Sequence, residues 1–326
     1  MKALTFDPKT DQFRISELPV PGISDTDVLV RVDACSLNPV DAKIGLWKPM
    51  VPNMDNTWVP GLDVSGYIVE IGKKVEKWNI GDRVLCHGDM FRPNGGFAEF
   101  TIQDSAILIP HPDLQPEVAA ATPCAGWTAW RALNDKLRAY KHNSILITGG
   151  SGGVGGFATQ IASYLNLEKI IVTCSAANHQ YVRELGATHV IDYKAEDVVG
   201  RVLDITEQQG VSIGLDTVGP NNDILVANSL KFEGQMVELV DTVRPLKYRD
   251  AFMKGLSFHQ LSLGAGHRHG ISAKVALTSA GHAFSSLVEQ GKIKVPVLKT
   301  ITLDQVGDGL NDMLKLRTVG KIVMRI

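Results

Sequence analysis

The sequence predicts an α/β protein of two domains, a β-barrel-type domain and a doubly wound domain with a parallel sheet. Residues 1–120 carry short β-prone runs that Pro and Gly interrupt, which is typical of an antiparallel sheet. Residues 121–291 alternate strand-like and helix-like segments, which is typical of a parallel sheet covered on both faces. Residues 292–326 again carry short β-prone runs, so we expect the tail to complete the first domain.

Short apolar runs define the expected strands of the first domain. They lie at residues 27–32, 64–71, 83–86 and 97–102. Turn signals such as Pro60-Gly61 and Gly81-Asp82 separate them, which favours a barrel-like antiparallel arrangement.

Strands and helices alternate regularly in the second domain. The expected strands are residues 144–148, 169–174, 189–191, 212–216 and 235–240, and the expected helices are 154–165, 178–185, 195–209 and 221–230. Right-handed crossovers between parallel strands then give a doubly wound sheet. A β-prone run at 257–263 and a long helix at 272–290 follow, and the tail predicts strand 293–297, helix 303–315 and strand 321–326.

Composition excludes several classes of function. The formal net charge is −2, so no basic excess is present to hold nucleic acid. No apolar run reaches the roughly 18 residues that span a bilayer. The first residues lack the apolar core of a signal peptide, so we expect a cytoplasmic protein that acts on a small molecule. Four cysteines without a Cys-x-x-Cys pair are expected to be free thiols.

One glycine-rich turn carries the clearest functional signal. Residues 149–156 read GGSGGVGG and lie between an expected strand and an expected helix. Glycines at this spacing let the backbone approach a pyrophosphate, and the helix N-terminus attracts its charge. The predicted dinucleotide contacts are Gly150, Ser151, Gly152, Gly153, Val154 and Gly155. A tight turn without a ligand is the alternative.

The loop after the next strand predicts a preference for NADPH. An NAD-preferring site places a carboxylate there to hold the ribose 2′-hydroxyl. This chain has Ser175, Asn178 and His179 instead, and no carboxylate to repel a 2′-phosphate. The loop also has no Arg or Lys, so an unselective surface loop is the alternative.

Three segments resemble motifs of the quinone oxidoreductase branch of the medium-chain dehydrogenase/reductase superfamily. Residues 36–41 (SLNPVD), 60–66 (PGLDVSG) and 128–133 (TAWRAL) are similar to its Asn-Pro-x-Asp, Pro-Gly-x-Asp-x-x-Gly and Thr-Ala-x-x-Ala-Leu patterns. The resemblance covers essentially the whole chain. It implies a GroES-like domain at 1–120 completed by about 292–326, and a Rossmann domain at 121–291. It also implies a homodimer formed through the sheet edge at 235–240 and 257–263.

The same resemblance predicts that the protein binds no metal. Zinc alcohol dehydrogenases of the superfamily have Cys where this chain has Asn38, and Gly-His-Glu where it has residues 61–63, Gly-Leu-Asp. Cys124 matches the third ligand, but one thiolate cannot hold a catalytic zinc. The His267-x-His269 pair is expected to be solvated surface.

Without a Lewis acid, hydride delivery to an already activated acceptor is the accessible reaction. Quinones and α,β-unsaturated carbonyls qualify as acceptors. By resemblance, the Asn38 amide would stabilise negative charge on the substrate oxygen, although an Asn before Pro also suits a plain turn. Asp41 and Asp63 are expected to fix loops through backbone N–H groups.

Further site residues are implied by the resemblance. Lys43 stands where the branch often has a tyrosine near the substrate, and Trp47 takes the next pocket position; a solvated Lys43 is the alternative. Besides Asn38, the other implied cofactor contacts are Thr128, Tyr193, Thr217, Val218, Gly219, Val240, Leu263 and Gly264.

Two other functions remain open at this point. An enone, enoyl or carbonyl reductase would use the same cofactor site as a quinone reductase. A cofactor-binding protein with little turnover would keep the glycine turn as well, because that turn indicates cofactor binding and does not indicate a catalytic rate.

Overall fold

The protein folds into two compact units, and the predicted fold class is confirmed. The computed structural model describes residues 1–315 and 318–326, without the side chains of residues 297 and 298. The first unit comprises residues 1–127, 263–291 and 295–326, and the second comprises 128–262 and 292–294. The first unit therefore includes residues 263–291, which the sequence analysis placed in the second domain.

Fifteen strands are present in the described residues. They are β1 Lys2–Asp7, β2 Gln12–Glu17, β3 Asp27–Leu37, β4 Asp63–Ile71, β5 Arg83–His87, β6 Phe100–Asp104, β7 Ile109–Pro110, β8 Ser144–Ile147, β9 Lys169–Cys174, β10 His189–Asp192, β11 Val211–Asp216, β12 Leu230–Glu238, β13 Ser257–Gln260, β14 Val297–Ile301 and β15 Lys321–Arg325.

The α-helices of the described residues range from 3 to 20 residues in length. They are α1 Pro39–Ala42, α2 Ile44–Trp47, α3 Pro116–Ala120, α4 Thr128–Trp130, α5 Gly153–Tyr164, α6 His179–Glu184, α7 Val198–Ile205, α8 Asn222–Asn228, α9 Gly270–Glu289 and α10 Val306–Met313. None of these helices is long and apolar enough to cross a membrane.

A seven-stranded sheet forms the centre of the first unit. Its order is β14-β15-β3-β4-β5-β7, and β6 pairs with β3. The pair β14 and β15 is parallel, and the other pairs are antiparallel. The tail strand β15 lies against β3, with Ile322 opposite Leu37, so the tail completes this sheet as expected.

Helix α9 belongs to the first unit because it packs closely against a buried tryptophan. A Cβ on Gly281 would lie 2.8 Å from the ring of Trp127, so only glycine allows this approach. The end of the helix is also held there, since Glu289 accepts the backbone N–H of Asp113 at 2.8 Å. The helical pattern predicted α9 well, but a pattern does not show which sheet a helix covers.

A six-stranded parallel sheet forms the second unit. Its order is β10-β9-β8-β11-β12-β13. The chain starts at the central β8, winds outwards through β9 and β10, and then returns to build β11, β12 and β13 on the other side. In a doubly wound sheet, ligands bind at the carboxyl ends of the strands where the winding direction reverses. The glycine turn follows β8 at that point.

Candidate functional site

The glycine turn joins β8 to α5 and leaves the start of the helix uncapped. The helix begins at Gly153, and the preceding Gly152 has no side chain to cap it. The first N–H groups of a helix have no partner within the helix. Here these are the N–H groups of Gly153, Val154 and Gly155, which point towards the helix N-terminus and favour an anion.

Packing explains two of the three motif glycines but not the third. A Cβ on Gly150 would lie 1.9 Å from Val172, and a Cβ on Gly155 would lie 2.3 Å from the carbonyl oxygen of Gly149. A Cβ on Gly152 would approach the nearest protein atom, the Gly149 oxygen, at 3.4 Å, which is an ordinary contact. Because the protein does not need a glycine at 152, a bare helix start fits the approach of a pyrophosphate.

The residues predicted to hold the 2′-phosphate form one polar cluster. The Asn178 side-chain amide donates to the hydroxyl oxygens of Ser151, at 3.2 Å, and Ser175, at 3.3 Å. The side chains of Ser175 and Asn178 are half-buried, and His179 begins α6 beside them. The structure thus brings the glycine turn and the selectivity loop together.

Sequence analysis did not consider the cation that directly follows Tyr193. In the parallel pair β9 and β10, Asp192 lies opposite Cys174, so the next residues, Tyr193 and Ser175, emerge at the same sheet edge. Tyr193 is 53% exposed, and the Lys194 ammonium lies 5.9 Å from the centre of its ring. The signal was present in the sequence, since Lys194 directly follows the residue singled out by resemblance.

Two buried carboxyl groups shape the loops predicted to contact the nicotinamide half of the cofactor. Asp216 ends β11, and its Oδ1 accepts the backbone N–H of Val218 at 2.9 Å. Glu238 ends β12, and its Oε1 accepts the backbone N–H of Val240 at 2.8 Å. The two acids face each other in the strand register. The loops are also packed together, because a Cβ on Gly219 would lie 2.7 Å from Val240.

The geometry favours one proton held between the two acids, since Asp216 Oδ2 and Glu238 Oε2 are buried and have no hydrogen-bond partner among the described residues. Burial, followed by the hydrogen bond to Asp216 and the charge of Asp216, raises the pKa of Glu238 from 4.5 to about 8. One protonated carboxyl can then donate to its ionised neighbour, whereas two adjacent carboxylates would repel each other. Thr217 completes this arrangement, because its hydroxyl donates to the Thr148 carbonyl at 2.7 Å.

In the first unit, Asn38 is enclosed by internal partners. Its side chain is 1% exposed, and the amide N–H groups donate to Asp63 at 2.9 Å and to the Ser36 carbonyl at 3.3 Å. Its Oδ1 accepts a hydrogen bond from the Lys321 ammonium at 2.5 Å. A direct contact between this amide and a substrate oxygen would require one of these bonds to break.

Asp41 and Asp63 fix local backbone, as predicted. Asp41 accepts the N–H of Asn38 at 2.9 Å, and Asp63 accepts the N–H of Cys124 at 2.9 Å. Burial, and then the charge of Asp63, raises the pKa of Asp41 to about 8. Burial also raises the pKa of Asp63 to about 6, although the Lys321 ammonium acts in the opposite direction.

Trp47 lies in the core, which corrects its assignment to a substrate pocket. It packs with Phe6, Ile44 and Trp58, and its indole N–H donates to the Val40 carbonyl at 2.8 Å. Only 8% of its surface is exposed, so its main role is packing.

The remaining predicted contacts divide between the two units. Lys43 is half-buried at the start of α2 in the first unit. Leu263 and Gly264 are buried there too, and a Cβ on Gly264 would lie 3.8 Å from the His87 ring. Thr128 begins α4 in the second unit and is 8% exposed. Their contacts with cofactor or substrate stay predictions.

The expectation that His267 and His269 form solvated surface is wrong for His267. Its ring is half-buried and stacks on His87, with 5.8 Å between ring centres and 22° between ring planes. His269 is exposed. A local sequence pattern could not reveal a partner 180 residues away.

Comparison with known families agrees with this geometry. Residues 24–113 match the family described as "Alcohol dehydrogenase GroES-like domain", and residues 185–324 match the family described as "Zinc-binding dehydrogenase". The chain is 26% identical to a quinone oxidoreductase of Coxiella burnetii, whose structure superposes with a TM-score of 0.85 over 100% of this chain and 99% of that one.

The chain belongs to the medium-chain dehydrogenase/reductase superfamily, in its quinone oxidoreductase branch. It is 30% identical over 322 residues to a synaptic vesicle membrane protein VAT-1 homolog of Danio rerio. It is 37% identical over 189 residues to a chloroplast envelope quinone oxidoreductase homolog of Arabidopsis thaliana. These matches cover 93% and 56% of this chain but only 65% and 56% of the two relatives.

One of the two matching families is described as zinc-binding, and the described part of this chain has one group of side chains whose atoms could act as metal ligands. Candidate ligand atoms of Asp63, His87 and Cys124 lie within 4.8 Å of one another. However, both Asp63 oxygens already accept hydrogen bonds, and the Lys321 ammonium lies 3.9 Å from one of them. Burial, followed by the charge of Asp63, holds the pKa of the Cys124 thiol well above its usual range and disfavours the thiolate.

The positive charge of Lys321 would repel a metal ion bound to Asp63. A metal bound to the nearer Asp63 oxygen at about 2 Å could lie no further than about 6 Å from the ammonium. At an effective dielectric constant of about 20, a divalent ion at that distance is repelled by about 5 kcal/mol. With Lys321 in place, these residues do not fit a metal.

Substitution of the motif glycines should separate ligand binding from packing. We expect Gly152→Ala to fold normally and to bind NADPH about tenfold more weakly, a loss of about 1.4 kcal/mol. Gly150→Ala should lower the free energy of unfolding by about 1–3 kcal/mol because its Cβ overlaps Val172. Calorimetric titration and urea unfolding measure the two effects. Wild-type affinity in Gly152→Ala would contradict the assigned role.

The shared proton of Asp216 and Glu238 predicts a pH dependence. Because folding raises the Glu238 pKa, the folded chain keeps a proton that the unfolded chain loses between pH 4.5 and about 8. This contribution to stability therefore falls as pH rises through that range. Glu238→Gln, which keeps a donor towards Asp216, should remove that slope from a plot of the free energy of urea unfolding against pH. The control Glu76→Gln changes an exposed residue, and slopes equal to wild type in Glu238→Gln would reject the shared proton.

Proposed function

We propose that this protein is an NADPH-dependent oxidoreductase that transfers hydride to quinones or other activated carbonyl acceptors without a metal. The bare helix start at Gly152 carries the proposal, because packing accounts for Gly150 and Gly155 but not for this residue. The relatives that are named quinone oxidoreductases support the acceptor class.

The residues of the second unit would bind and orient the cofactor. When bound, NADPH supplies the hydride. The first N–H groups of α5 would hold the pyrophosphate, while Ser151, Ser175 and Asn178 would donate to the 2′-phosphate. Lys194 would add the positive charge that the selectivity loop itself lacks. The loops held by Asp216 and Glu238 would fix the ribose on the nicotinamide side.

The absence of a Lewis acid restricts the acceptor. A simple ketone needs its oxygen polarised before it accepts hydride, whereas a quinone or an enone carries its own activation. Asn38 and Leu62 replace two ligands of the zinc enzymes, and Lys321 disfavours a metal on the remaining donors. The proposed chemistry therefore relies on positioning and on the acceptor's own reactivity.

An acceptor screen tests the proposed reaction. NADPH oxidation would be followed at equal concentrations of quinones, enones, enoyl thioesters and simple aldehydes. The proposal expects the highest kcat/KM with quinones, and turnover that survives prolonged chelation. A clear preference for enoyl thioesters would favour the alternative reductase, and tight NADPH binding without turnover on any acceptor would favour a binding protein.

We further propose that the protein is a homodimer joined through the sheet of the second unit. Among the described residues, strand β13 pairs with β12 alone, so its other edge offers backbone groups without a strand partner there. Pairing this edge with the same edge of a second copy would close it with twofold symmetry. Light scattering should give twice the monomer mass, and Gln260→Pro, which removes an N–H on the free side of β13, should shift the mass towards the monomer. A monomeric wild type at micromolar concentration would refute the dimer.

Cofactor preference should depend on Ser175. A carboxylate at this position would repel a 2′-phosphate and accept hydrogen bonds from the ribose hydroxyls of NADH. We expect Ser175→Asp to lower kcat/KM for NADPH at least about tenfold and to raise it for NADH. Ser175→Asn is the matched control, because it has the same shape without the charge. Unchanged NADPH use in Ser175→Asp would show that this loop does not hold the phosphate.

A further inference from the structure

A cluster of three potential metal donors lies beside the Asn38 network. Asp63 begins β4, His87 ends β5 directly opposite it, and Cys124 lies in the helical turn Pro123–Trp127. Their donor atoms lie within 4.8 Å of one another. His87 is 2% exposed, and its Nδ1 has no hydrogen-bond partner among the described residues. A buried imidazole nitrogen without a partner needs an explanation, since such groups are normally satisfied.

The chemistry of these donors suits a transition metal. Imidazole, thiolate and carboxylate are the ligands that zinc and cobalt take in tetrahedral protein sites, and three protein ligands suffice for an open site. His87 comes from β5, so this set differs from the zinc alcohol dehydrogenase pattern, whose other ligand positions hold Asn38 and Leu62 here. The proposed hydride transfer uses neither His87 nor Cys124.

The ammonium group of Lys321 already lies next to this cluster. Lys321 is 3% exposed, and its ammonium donates to the Leu37 carbonyl at 3.3 Å and to Asn38 at 2.5 Å. It lies 3.9 Å from Asp63, the one donor of the cluster that also neutralises it. Two cations cannot share one buried carboxylate without strong repulsion, so the ammonium and a metal are alternatives.

We propose that Asp63, His87 and Cys124 form a latent site for a divalent transition metal, and that the ammonium of Lys321 keeps the metal out. Removing this charge leaves the buried Asp63 carboxylate without its cation. A divalent ion would then supply the missing positive charge, and it would stabilise Cys124 as a thiolate and take up the unpartnered His87 nitrogen.

The test is cobalt binding to the full-length Lys321→Met protein. Cobalt(II) alone is the probe, because coordination by a thiolate produces a near-ultraviolet charge-transfer band that weak surface binding does not. We expect about one cobalt per chain in Lys321→Met and less than about a tenth of that in wild type. Cobalt or zinc should also raise the Tm of the variant and leave the Tm of wild type unchanged.

Three controls identify the site and the cause. Lys321→Arg keeps the positive charge and should bind no cobalt. Lys274→Met removes a different lysine of the same unit, which pairs with Asp104 at 2.5 Å, and should also bind none. Adding Cys124→Ser to Lys321→Met should abolish the charge-transfer band.

A second variant keeps the proposal testable if Lys321→Met does not fold. Lys321→Gln is this second variant, because its amide keeps a donor towards the Leu37 carbonyl and Asn38 without the positive charge, and all three metal donors remain. Cobalt binding by either variant supports the proposal. A folded variant without the band overturns it, as does a wild type that binds cobalt through Cys124. A variant that stays unfolded at saturating cobalt also counts against it, because binding at a preformed donor set should drive folding.

Discussion

The first unit depends on one buried ammonium. Lys321 lies on the last strand, and its contacts reach Leu37 and Asn38, more than 280 residues earlier in the chain. Asp41 and Asp63 are both fully enclosed nearby, and an unpaired charge in such a place is strongly destabilising. The tail therefore completes this unit in two ways: β15 adds a strand to the sheet, and Lys321 supplies a cation 3.9 Å from the Asp63 carboxylate. A tail without this charge would still complete the sheet, but it would leave the buried carboxylate without a cation.

The second unit solves the same problem without a cation. A proton held between Asp216 and Glu238 would leave a single negative charge there, and their Oδ1 and Oε1 atoms accept backbone N–H groups of the loops that follow. In both units, buried carboxyls at strand ends hold the segments predicted to contact cofactor or substrate. Such groups rigidify a loop only while all their hydrogen bonds are made. Site geometry in the second unit is thus sensitive to pH, whereas the ion pair of the first unit is sensitive to charge substitution.

Sequence reasoning succeeded where the decisive partners are near in the chain or repeat with a regular period. The strands and helices of the second unit, the turn at Gly152, and the local role of Asp41 three residues after Asn38 are of this kind. It failed where the partner is distant. The stacking of His267 on His87 and the pairing of Lys321 with Asn38 join segments that lie far apart in the chain, so the local sequence around one residue does not indicate the other.

A zinc ion and a lysine ammonium differ in how they can interact with a substrate oxygen. A catalytic zinc keeps one coordination position open, so a substrate oxygen can bind it directly. The Lys321 ammonium has three N–H donors, and two of them are directed at protein acceptors while the carboxylate of Asp63 lies near the third. It stabilises the surrounding fold and leaves little to polarise a substrate. Under the proposed function, the acceptor must therefore be reactive on its own, and the residue that balances the buried Asp63 carboxylate would also favour quinones and enones over simple ketones.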